Sequence, residues 1–206
     1  MSEIKFIYYD IGNVLLLFSG GLQKLANKYD KEYSDFERVF KKYDDLICRG
    51  QITPKNLWTH YQNELEFDGE DFDFAEFWAS NFVLIHESFD LINEINRSEV
   101  KIGLLSNIYP QTFDILANKN FFPFNDWDSK VLSCETGFVK PEEAIYKIAE
   151  QKAGIDPNEI LFVDDKLEFL KPASKRGWRT FQFDHSKISE SVGELRHLLV
   201  KKKVLT

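Results

Sequence analysis

The segment Ile4–Asp10, IKFIYYD, runs straight into Ile11-Gly12-Asn13, and this junction decides the fold. The β-branched and aromatic residues up to Tyr9 predict a buried strand, and the polar residues after it predict a turn. The same pattern of an apolar run that stops at a polar residue recurs in the segments Val100–Leu105 before Ser106, Ile160–Val163 before Asp164, and Arg179–Phe183 before Asp184. The chain therefore predicts strands that carry polar side chains at their carboxyl ends.

Helical patterns lie between these strands. Phe89, Ile92 and Ile95 share one face, and so do Phe113, Leu116 and Ala117. Glu142–Ala153 has Pro141 at its start and Gly154 just past its end, and Lys166–Arg176 precedes Gly177 in the same way. Strands that alternate with helices predict right-handed βαβ units. The predicted fold class is α/β, a Rossmann-like parallel sheet with helices on both faces.

The alternation stops from about Gly20 to Ile85, where no convincing strand is predicted. Apolar residues recur there at helical spacing, in the sets Leu22/Leu25/Ala26, Phe36/Val39/Phe40, Leu57/Tyr61/Leu65 and Phe74/Phe77/Trp78. We interpret this stretch as a small helical cap inserted after the first strand, with Ser19-Gly20-Gly21 as a hinge. The predicted division is a core domain at 1–18 and 87–206 and a cap at 19–86. Helices that simply pack on the sheet are the alternative.

The polar residues at the strand ends are expected to meet, because ligands bind at the carboxyl ends of strands in an open parallel sheet. They are Asp10, Ser106, Asp164 and Asp165, and Lys140 precedes a predicted helix start. Clustered carboxylates repel each other unless a cation or proton intervenes, and oxygen ligands suit Mg²⁺. A hydroxyl and an ammonium suit a phosphate, and an aspartate beside them can act as a nucleophile. The residues alone suggest phosphoryl transfer.

At these positions the chain resembles the haloacid dehalogenase-like (HAD) hydrolase superfamily. Its four motifs are matched in order by Asp10-Ile11-Gly12-Asn13-Val14, Leu104-Leu105-Ser106-Asn107, Gly137-Phe138-Val139-Lys140-Pro141 with Ile145-Tyr146, and Phe162-Val163-Asp164-Asp165. The Asp-x-Gly-Asn-Val form and the Ser133–Gly137 lead into Lys140 are most similar to a subgroup of sugar-phosphate phosphatases such as α-D-glucose-1-phosphate phosphatase. In this family a small cap follows the first motif.

The resemblance implies a magnesium site. Asp10 would be the nucleophile and a Mg²⁺ ligand, and Gly12 would lend its backbone carbonyl to the metal. Asp165 would bind Mg²⁺ directly, and Asp164 would bind it closely or through water.

The resemblance also implies a phosphate site and an activity. Ser106 would hold the phosphate through its hydroxyl, and Asn107 would support the phosphate loop or the substrate rim. Lys140 would neutralise the nucleophile and the phosphate. The implied reaction is hydrolysis of a small phosphomonoester, such as a sugar phosphate, through an aspartyl-phosphate on Asp10.

The chain departs from the family pattern at two positions. Gly12 stands where family phosphatases usually carry a second aspartate as general acid and base, a contribution of about 10²–10⁴ in rate. Phe169 stands where the fourth motif often has an asparagine that supports the loop. The sugar-phosphate phosphatases can carry the same Asp-x-Gly form, so phosphatase activity remains the leading hypothesis.

Two other functions stay open. A hydrolytic dehalogenase also uses an aspartate nucleophile but needs no metal, which leaves Asp164 and Asp165 unexplained. A catalytically silent protein that binds a phosphate ligand or a partner is favoured by Gly12. His60 and His86 are candidates for the missing proton donor, although a lone histidine is more often structural.

Composition limits the partners. Hydrophobic residues make up 43% of the 206 residues, enough to bury a core and to exclude a disordered chain. A net charge of −8 argues against nucleic acid and anionic membranes as the main partner but does not exclude phosphorylated small molecules. The partner expected from the phosphatase hypothesis is a small phosphorylated metabolite. The longest purely apolar run, Val14–Phe18, is too short to span a bilayer. Two lone cysteines, Cys48 and Cys134, and an N-terminus without a secretion pattern predict a cytoplasmic protein with inert thiols.

Overall fold

The computed structural model describes residues 3–68, 72–122 and 127–206. The strands of these residues are β1 (Phe6–Tyr9), β2 (Leu16–Phe18), β3 (Phe82–Leu84), β4 (Lys101–Ser106), β5 (Ser129–Leu132), β6 (Ile160–Asp164) and β7 (Arg179–Gln182). Five of them form a parallel sheet in the order β5-β4-β1-β6-β7, and β2 pairs antiparallel with β3. The four strands predicted from the sequence are all present in the parallel sheet.

Helices fill most of the remaining described chain. They are α1 (Gly21–Lys28), α2 (Tyr33–Cys48), α3 (Pro54–Leu65), α4 (Phe74–Ala79), α5 (His86–Ile95), α6 (Thr112–Asn118), α7 (Ser133–Thr136), α8 (Glu143–Ala153), α9 (Leu167–Lys175) and α10 (Ile188–Lys201). Short 3₁₀ turns lie at Pro157–Glu159 and His185–Lys187. Pro141 was expected at the start of the helix that ends before Gly154, but it lies two residues before the first residue of α8.

The sheet buries both of its faces. Successive side chains of β1 point to opposite sides, so Ile7 and Tyr9 join one hydrophobic cluster while Phe6 and Tyr8 join another. The first cluster includes apolar residues of α5, α6 and α10, and the second includes those of α8 and α9. Each residue of β1 is buried. The predicted Rossmann-like α/β class, with helices on both faces of a parallel sheet, is confirmed.

The topology places a crevice beside the central strand. From β1 the chain moves to β4 and β5 on one side, and it then crosses to β6 and β7 on the other. Neighbouring strands whose connections leave in opposite directions open a crevice at their carboxyl ends, where ligands of α/β proteins bind. In this chain that point lies between β1 and β6.

Helices α1–α4 lie between β2 and β3 in sequence and enclose a hydrophobic cluster of their own. The expectation of no strand between Gly20 and Ile85 was wrong at Phe82–Leu84, where β3 pairs with β2 through Leu17 opposite Val83. Strand β3 is three residues long, too short for an alternating pattern to show in the sequence, and the four-residue strand β5 was also not predicted. No helix of the described residues is both long and apolar enough to cross a membrane.

The predicted hinge is tied to the far end of the helical insert. The backbone N–H of Ser19 donates to the carbonyl of Asn81 at 2.7 Å, and Nζ of Lys24 donates to Oδ1 of Asn81 at 2.6 Å. Gly20 has a φ of 66°, in the left-handed region that glycine adopts at least cost. The two segments that connect the insert to the sheet therefore run together. The proposed boundaries of core and cap stay a prediction.

Candidate active site

Asp10 directly follows β1 and has 7% of its surface exposed. Its backbone N–H donates to the carbonyl of Val163 on β6 at 2.9 Å, and its Oδ1 accepts from the N–H of Ile11 at 2.8 Å. The other carboxylate oxygen, Oδ2, lies 3.1 Å from Nζ of Lys140. The end of the central strand thus holds an aspartate in a fixed orientation against a cation.

Asp164 is the last residue of β6 and has no exposed surface. Its Oδ2 lies 2.6 Å from Nζ of Lys140, and its Oδ1 accepts from the backbone N–H of Lys166 at 2.8 Å. Burial raises the pKa of the Asp164 carboxyl to about 7, although the Lys140 ammonium opposes the rise. The adjacent Asp10 charge adds to it. Burial makes the charged form of the Asp164 carboxyl unfavourable unless a positive charge lies beside it.

Lys140 provides this positive charge. Burial alone would lower the pKa of its ammonium, but Asp10 and Asp164 outweigh burial and raise that pKa above its ordinary value. The rings of Phe162 and Phe169 lie beside the ammonium, with centroids 5.3 and 4.9 Å from Nζ. Phe169 stands where the family often has an asparagine, and here its ring contacts the charged lysine. The ammonium is held between two carboxylates and two aromatic rings.

Asn107 fixes the backbone of Lys140. Its amide Nδ2 donates to the carbonyl of Lys140 at 3.0 Å, and its Oδ1 accepts from the N–H of Lys140 at 2.8 Å. A cis peptide bond joins Lys140 to Pro141. Ser106, the last residue of β4, is buried, and its hydroxyl lies 3.5 Å from the carbonyl of Asn107. The end of β4 thus positions the lysine, while phosphate contacts by Ser106 and Asn107 stay predictions.

Asp165 completes a group of three carboxylates. One oxygen each of Asp10, Asp164 and Asp165 lies within 4.8 Å of the others. Oδ2 of Asp165 accepts from Nδ2 of Asn13 at 3.0 Å and lies 3.7 Å from Nδ1 of His185. The sequence-predicted residues of the first, third and fourth motifs therefore meet at the crevice between β1 and β6.

The donor set fits a divalent cation. Carboxylate oxygens are the ligands that Mg²⁺ prefers, and a site of this kind takes one or two carboxylates with waters and a substrate phosphate. With all groups ionised, the three aspartates and Lys140 together carry two negative charges. A divalent cation would neutralise the cluster. Gly12, whose carbonyl was predicted as a ligand, lines the same cleft.

The cluster opens into a cleft of about 660 Å³ between the sheet edge and the helical insert. Asp10, Lys140 and Asp165 line the side formed by the sheet. The opposite side is largely aromatic and carries Phe18, Phe40 and Trp78 from the insert and its connections, together with Tyr109 from the loop after β4. The site combines a charged floor with an apolar wall. With a divalent cation bound at the three carboxylates, this arrangement would suit a small ligand that has one anionic end.

Sequence reasoning assigned no role to several polar residues at the site, among them Asp44 and His185. Asp44 lies in the middle of α2, lines the cleft, and accepts a hydrogen bond from the hydroxyl of Tyr109 at 2.8 Å. It belongs to no motif, and the signal that could have identified it is its helical spacing from Phe40 and Ile47 in α2. His185 lies three residues after Gln182, the last residue of β7, and the pattern of polar residues after strands is the signal that could have identified it.

The histidines considered as proton donors lie elsewhere. His60 stacks on the ring of Tyr43 with centroids 4.0 Å apart, and His86 is exposed at the start of α5. Neither is among the residues that line the cleft. Burial raises the pKa of the Cys48 thiol above its ordinary value and that of Cys134 to about 11, which agrees with inert thiols.

Comparison with known proteins adds independent findings. The model of a family described as haloacid dehalogenase-like hydrolase matches residues 9–173. Acyl-CoA dehydrogenase family member 10 of Mus musculus is 30% identical over 99 residues, which are 47% of this chain and 9% of that protein. (S)-2-haloacid dehalogenase of Pseudomonas sp. (strain YL) is 35% identical over 75 residues, 36% of this chain and 32% of that protein. The chain thus matches a third or less of the length of these relatives.

Solved structures of similar fold include a HAD family enzyme from Bacteroides thetaiotaomicron. Its magnesium complex is 25% identical with a TM-score of 0.74, and the alignment covers 88% of this chain and 93% of that one. The complex of the same enzyme with magnesium and inorganic phosphate is 24% identical with a TM-score of 0.73, covering 88% and 95%. The fold therefore matches over nearly the whole length of both chains.

Proposed function

This chain belongs to the haloacid dehalogenase-like hydrolase family, and within it we propose a Mg²⁺-dependent phosphatase that hydrolyses a small phosphomonoester, such as a sugar phosphate. The observation that carries the proposal is the buried Lys140 between Asp10 and Asp164, with Asp165 completing three carboxylates at the ends of β1 and β6. Such a cluster provides a nucleophile, a fixed positive charge and oxygen ligands in one place. Phosphoryl transfer requires these three components.

The proposed magnesium site consists of Asp10, Asp164 and Asp165 with the backbone carbonyl of Gly12. When bound, the metal would supply positive charge to the phosphoryl oxygens. The net charge of the cluster supports this assignment, as does the magnesium complex of the Bacteroides enzyme. Lys140 would provide a second positive charge beside the nucleophile.

Different residues of the chain carry out different parts of the proposed reaction. An oxygen of Asp10 forms a bond to phosphorus while the bond from phosphorus to the substrate alcohol breaks. Lys140 stabilises the charge of the transferring group, and the hydroxyl of Ser106 would hold a phosphoryl oxygen. Water then attacks the aspartyl-phosphate, which releases inorganic phosphate and restores Asp10. Asn107 keeps Lys140 in place throughout.

The helical insert is proposed to act as the cap over this site. Its aromatic wall excludes water from the reacting groups and selects the alcohol part of the substrate by shape. Free thiols at Cys48 and Cys134 suit a reducing compartment such as the cytoplasm. The expected partner is a small phosphorylated metabolite.

Hydrolytic dehalogenation is the second candidate, because a haloacid dehalogenase is among the relatives. That reaction also uses an aspartate nucleophile but needs no metal. It gives no role to Asp164 and Asp165 beside Asp10, and we therefore rank it second. A silent ligand-binding protein, suggested by Gly12, would bind phosphate without turnover.

Phosphate release tests the proposal. The purified protein is assayed with 4-nitrophenyl phosphate, a panel of sugar phosphates and nucleotides, and a 2-haloacid, each with Mg²⁺ and with chelator. Asp10→Asn is the inactive variant, and Asp90→Asn, an exposed position on α5, is the matched control. Release that needs Mg²⁺ and is lost only in Asp10→Asn supports the phosphatase. Halide release that survives the chelator supports the dehalogenase, and binding without any release supports the silent protein.

A further inference from the structure

Gly12 has no side chain that can donate a proton to the leaving group. The position of Asp44 suits it for this role. In an in-line displacement at phosphorus, the leaving oxygen lies on the side opposite to the attacking group. With Asp10 on the sheet side of the cleft, the leaving oxygen would face the side formed by the insert. Asp44 lies on that side, in α2.

The Asp44 carboxyl is held in place but keeps one oxygen available. Its Oδ1 accepts from the hydroxyl of Tyr109 at 2.8 Å and has a longer contact of 3.8 Å with Sγ of Cys48. Its Oδ2 accepts no hydrogen bond from any of the described residues. The ring of Tyr109 stacks on Trp78 with centroids 4.9 Å apart, which orients the hydroxyl towards α2. A fixed carboxyl with a free oxygen therefore borders the cleft.

We infer that Asp44 is a further catalytic residue of the proposed phosphatase, and that it donates a proton to the leaving oxygen. As the bond from phosphorus to that oxygen breaks, the proton of the Asp44 carboxyl passes to the alkoxide and the product leaves as an alcohol. The resulting Asp44 carboxylate then takes a proton from the water that attacks the aspartyl-phosphate on Asp10. This second step yields inorganic phosphate and restores both aspartates. The inference depends on the proposed function.

The surroundings of Asp44 suit a proton donor. Burial raises the pKa of its carboxyl, and Asp45 adds to the rise, while hydrogen bonds from Tyr109 and Cys48 and the charge of Lys166 oppose it. Burial also raises the pKa values of Tyr109 and Cys48 above their ordinary values. Both remain neutral donors that would stabilise the Asp44 carboxylate once its proton has left. A carboxylic acid with a raised pKa beside an apolar wall is the usual form of a general acid.

Other acidic residues of the cleft are less suited. Asp45 is exposed and pairs with Arg49 at 2.8 Å. Glu168 is exposed at the start of α9. Asp165 belongs to the proposed metal site. Among the described residues that line the cleft, Asp44 is therefore the carboxyl that combines burial, a raised pKa and freedom from both metal and salt bridge.

The free space at Gly12 allows a direct test of whether Asp44 takes the proton-donor role that an aspartate at this position would have. A Cβ at Gly12 would have no atom within 4 Å, and the backbone there is not in the left-handed region. An aspartate introduced at this position is therefore expected to fit and to place a carboxyl two residues after the nucleophile. If Asp44 takes the role that this carboxyl would play, Gly12→Asp should restore what Asp44→Asn removes.

The experiment compares two leaving groups. The wild type, Asp44→Asn and Asp44→Ala are assayed with 4-nitrophenyl phosphate, whose leaving group needs no proton, and with an alkyl phosphate, whose leaving group does. We expect the first-turnover rate of alcohol release from the alkyl phosphate to fall by about 10²–10⁴ in both variants, and the first-turnover rate of 4-nitrophenol release to change little. Adding Gly12→Asp to Asp44→Asn should recover the alkyl phosphate rate. Asp35→Asn, the same chemical change on the same helix outside the cleft, should leave both rates near those of the wild type.

Two results would overturn the inference. Equal losses in the first-turnover release rates of both substrates would mean that Asp44 only maintains the structure, and unchanged first-turnover rates with both would mean that it does not donate the proton. In either case metal-dependent release by the wild type would leave the proposed function standing. Absence of release by the wild type with both substrates would instead overturn the proposed function, and this inference with it.

Discussion

Nζ of Lys140 lies 2.6 Å from Oδ2 of Asp164, and both side chains are closed off from solvent. The two groups come from different parts of the chain, 24 residues apart, and each compensates the burial of the other. Oδ2 of Asp10 lies 3.1 Å from the same ammonium. A single lysine therefore stabilises the fold at the point where the proposed reaction takes place.

Replacing Lys140 by alanine is expected to weaken stability and activity together. The change leaves two buried carboxylates without their counter-ion, which typically costs about 3–5 kcal/mol of unfolding free energy. Loss of a positive group beside the transferring phosphoryl is expected to lower kcat by roughly 10²–10³. Urea unfolding and phosphate release measure the two effects, and Lys171→Ala on the exposed side of α9 is the control. Near-normal turnover in Lys140→Ala would contradict the assigned role.

The sequence predicted the charged floor of the site because its residues sit at strand ends. Four apolar runs each stop at a polar residue, and parallel pairing necessarily brings these ends together. Asp10, Asp164 and Asp165 meet as this argument requires. Local pattern is sufficient here, because the geometry of the sheet supplies the long-range contacts.

The side of the cleft that carries Asp44 and Tyr109 was not predictable from the ends of strands. The hydrogen bond from Tyr109 to Asp44 joins residues 65 positions apart, and it forms only when α2 packs over the loop after β4. The helical period places Asp44 at the border of the apolar face of α2, four residues after Phe40, and Asp45 on the opposite side, but it does not show what that face contacts. Strands β2 and β3 were not predicted for a related reason. Each is three residues long, and so short a segment adopts strand structure because of its partner strand rather than its own sequence.

Gly50 is expected to be required for docking of the insert. Its φ is +68°, and a Cβ there would lie 2.3 Å from the carbonyl oxygen of Cys134 in α7. Gly50→Ala therefore combines a left-handed alanine, which costs about 1–2 kcal/mol, with a backbone clash at the seam between α2 and the sheet domain. Gly154→Ala is the matched control, because Gly154 has a φ of +66° and open space around its Cβ. Urea unfolding should show a larger loss for Gly50→Ala; equal losses would mean that the seam relaxes without strain.

Glu150 is expected to stabilise the face formed by α8 and α9 only while it is ionised. It accepts hydrogen bonds of 2.8 Å from Nε of Arg176 and from Nε1 of Trp178. Burial would raise the pKa of the Glu150 carboxyl, but Arg176 and Trp178 outweigh it and lower that pKa. A carboxyl with a lowered folded-state pKa contributes stability that is complete well above its unfolded value of 4.5 and is lost as the pH falls through the folded value.

Glu150→Gln should therefore destabilise the protein near pH 7 by about 1 kcal/mol, at the low end for charged hydrogen bonds because both partners remain partly exposed. The difference from the wild type should shrink as the pH falls below the ordinary carboxyl range. Urea unfolding at pH 7 and near pH 3 measures it, with the exposed Glu143→Gln as control. A difference that stays constant with pH would show that shape, and not charge, is what Glu150 contributes.

Magnesium is expected to stabilise the folded protein through the three-carboxylate group. An ion that binds only the folded state adds about 2.7 kcal/mol at a concentration 100 times its dissociation constant. The Tm of the wild type should therefore rise with Mg²⁺ and fall again with chelator. Asp165→Asn removes one ligand while Asp10, Asp164 and Lys140 keep their ion pairs, so its metal-free Tm should stay close to that of the wild type while the Mg²⁺-dependent rise is lost. Asp90→Asn should keep the full rise, and an equal rise in Asp165→Asn would locate the bound ion elsewhere on the protein.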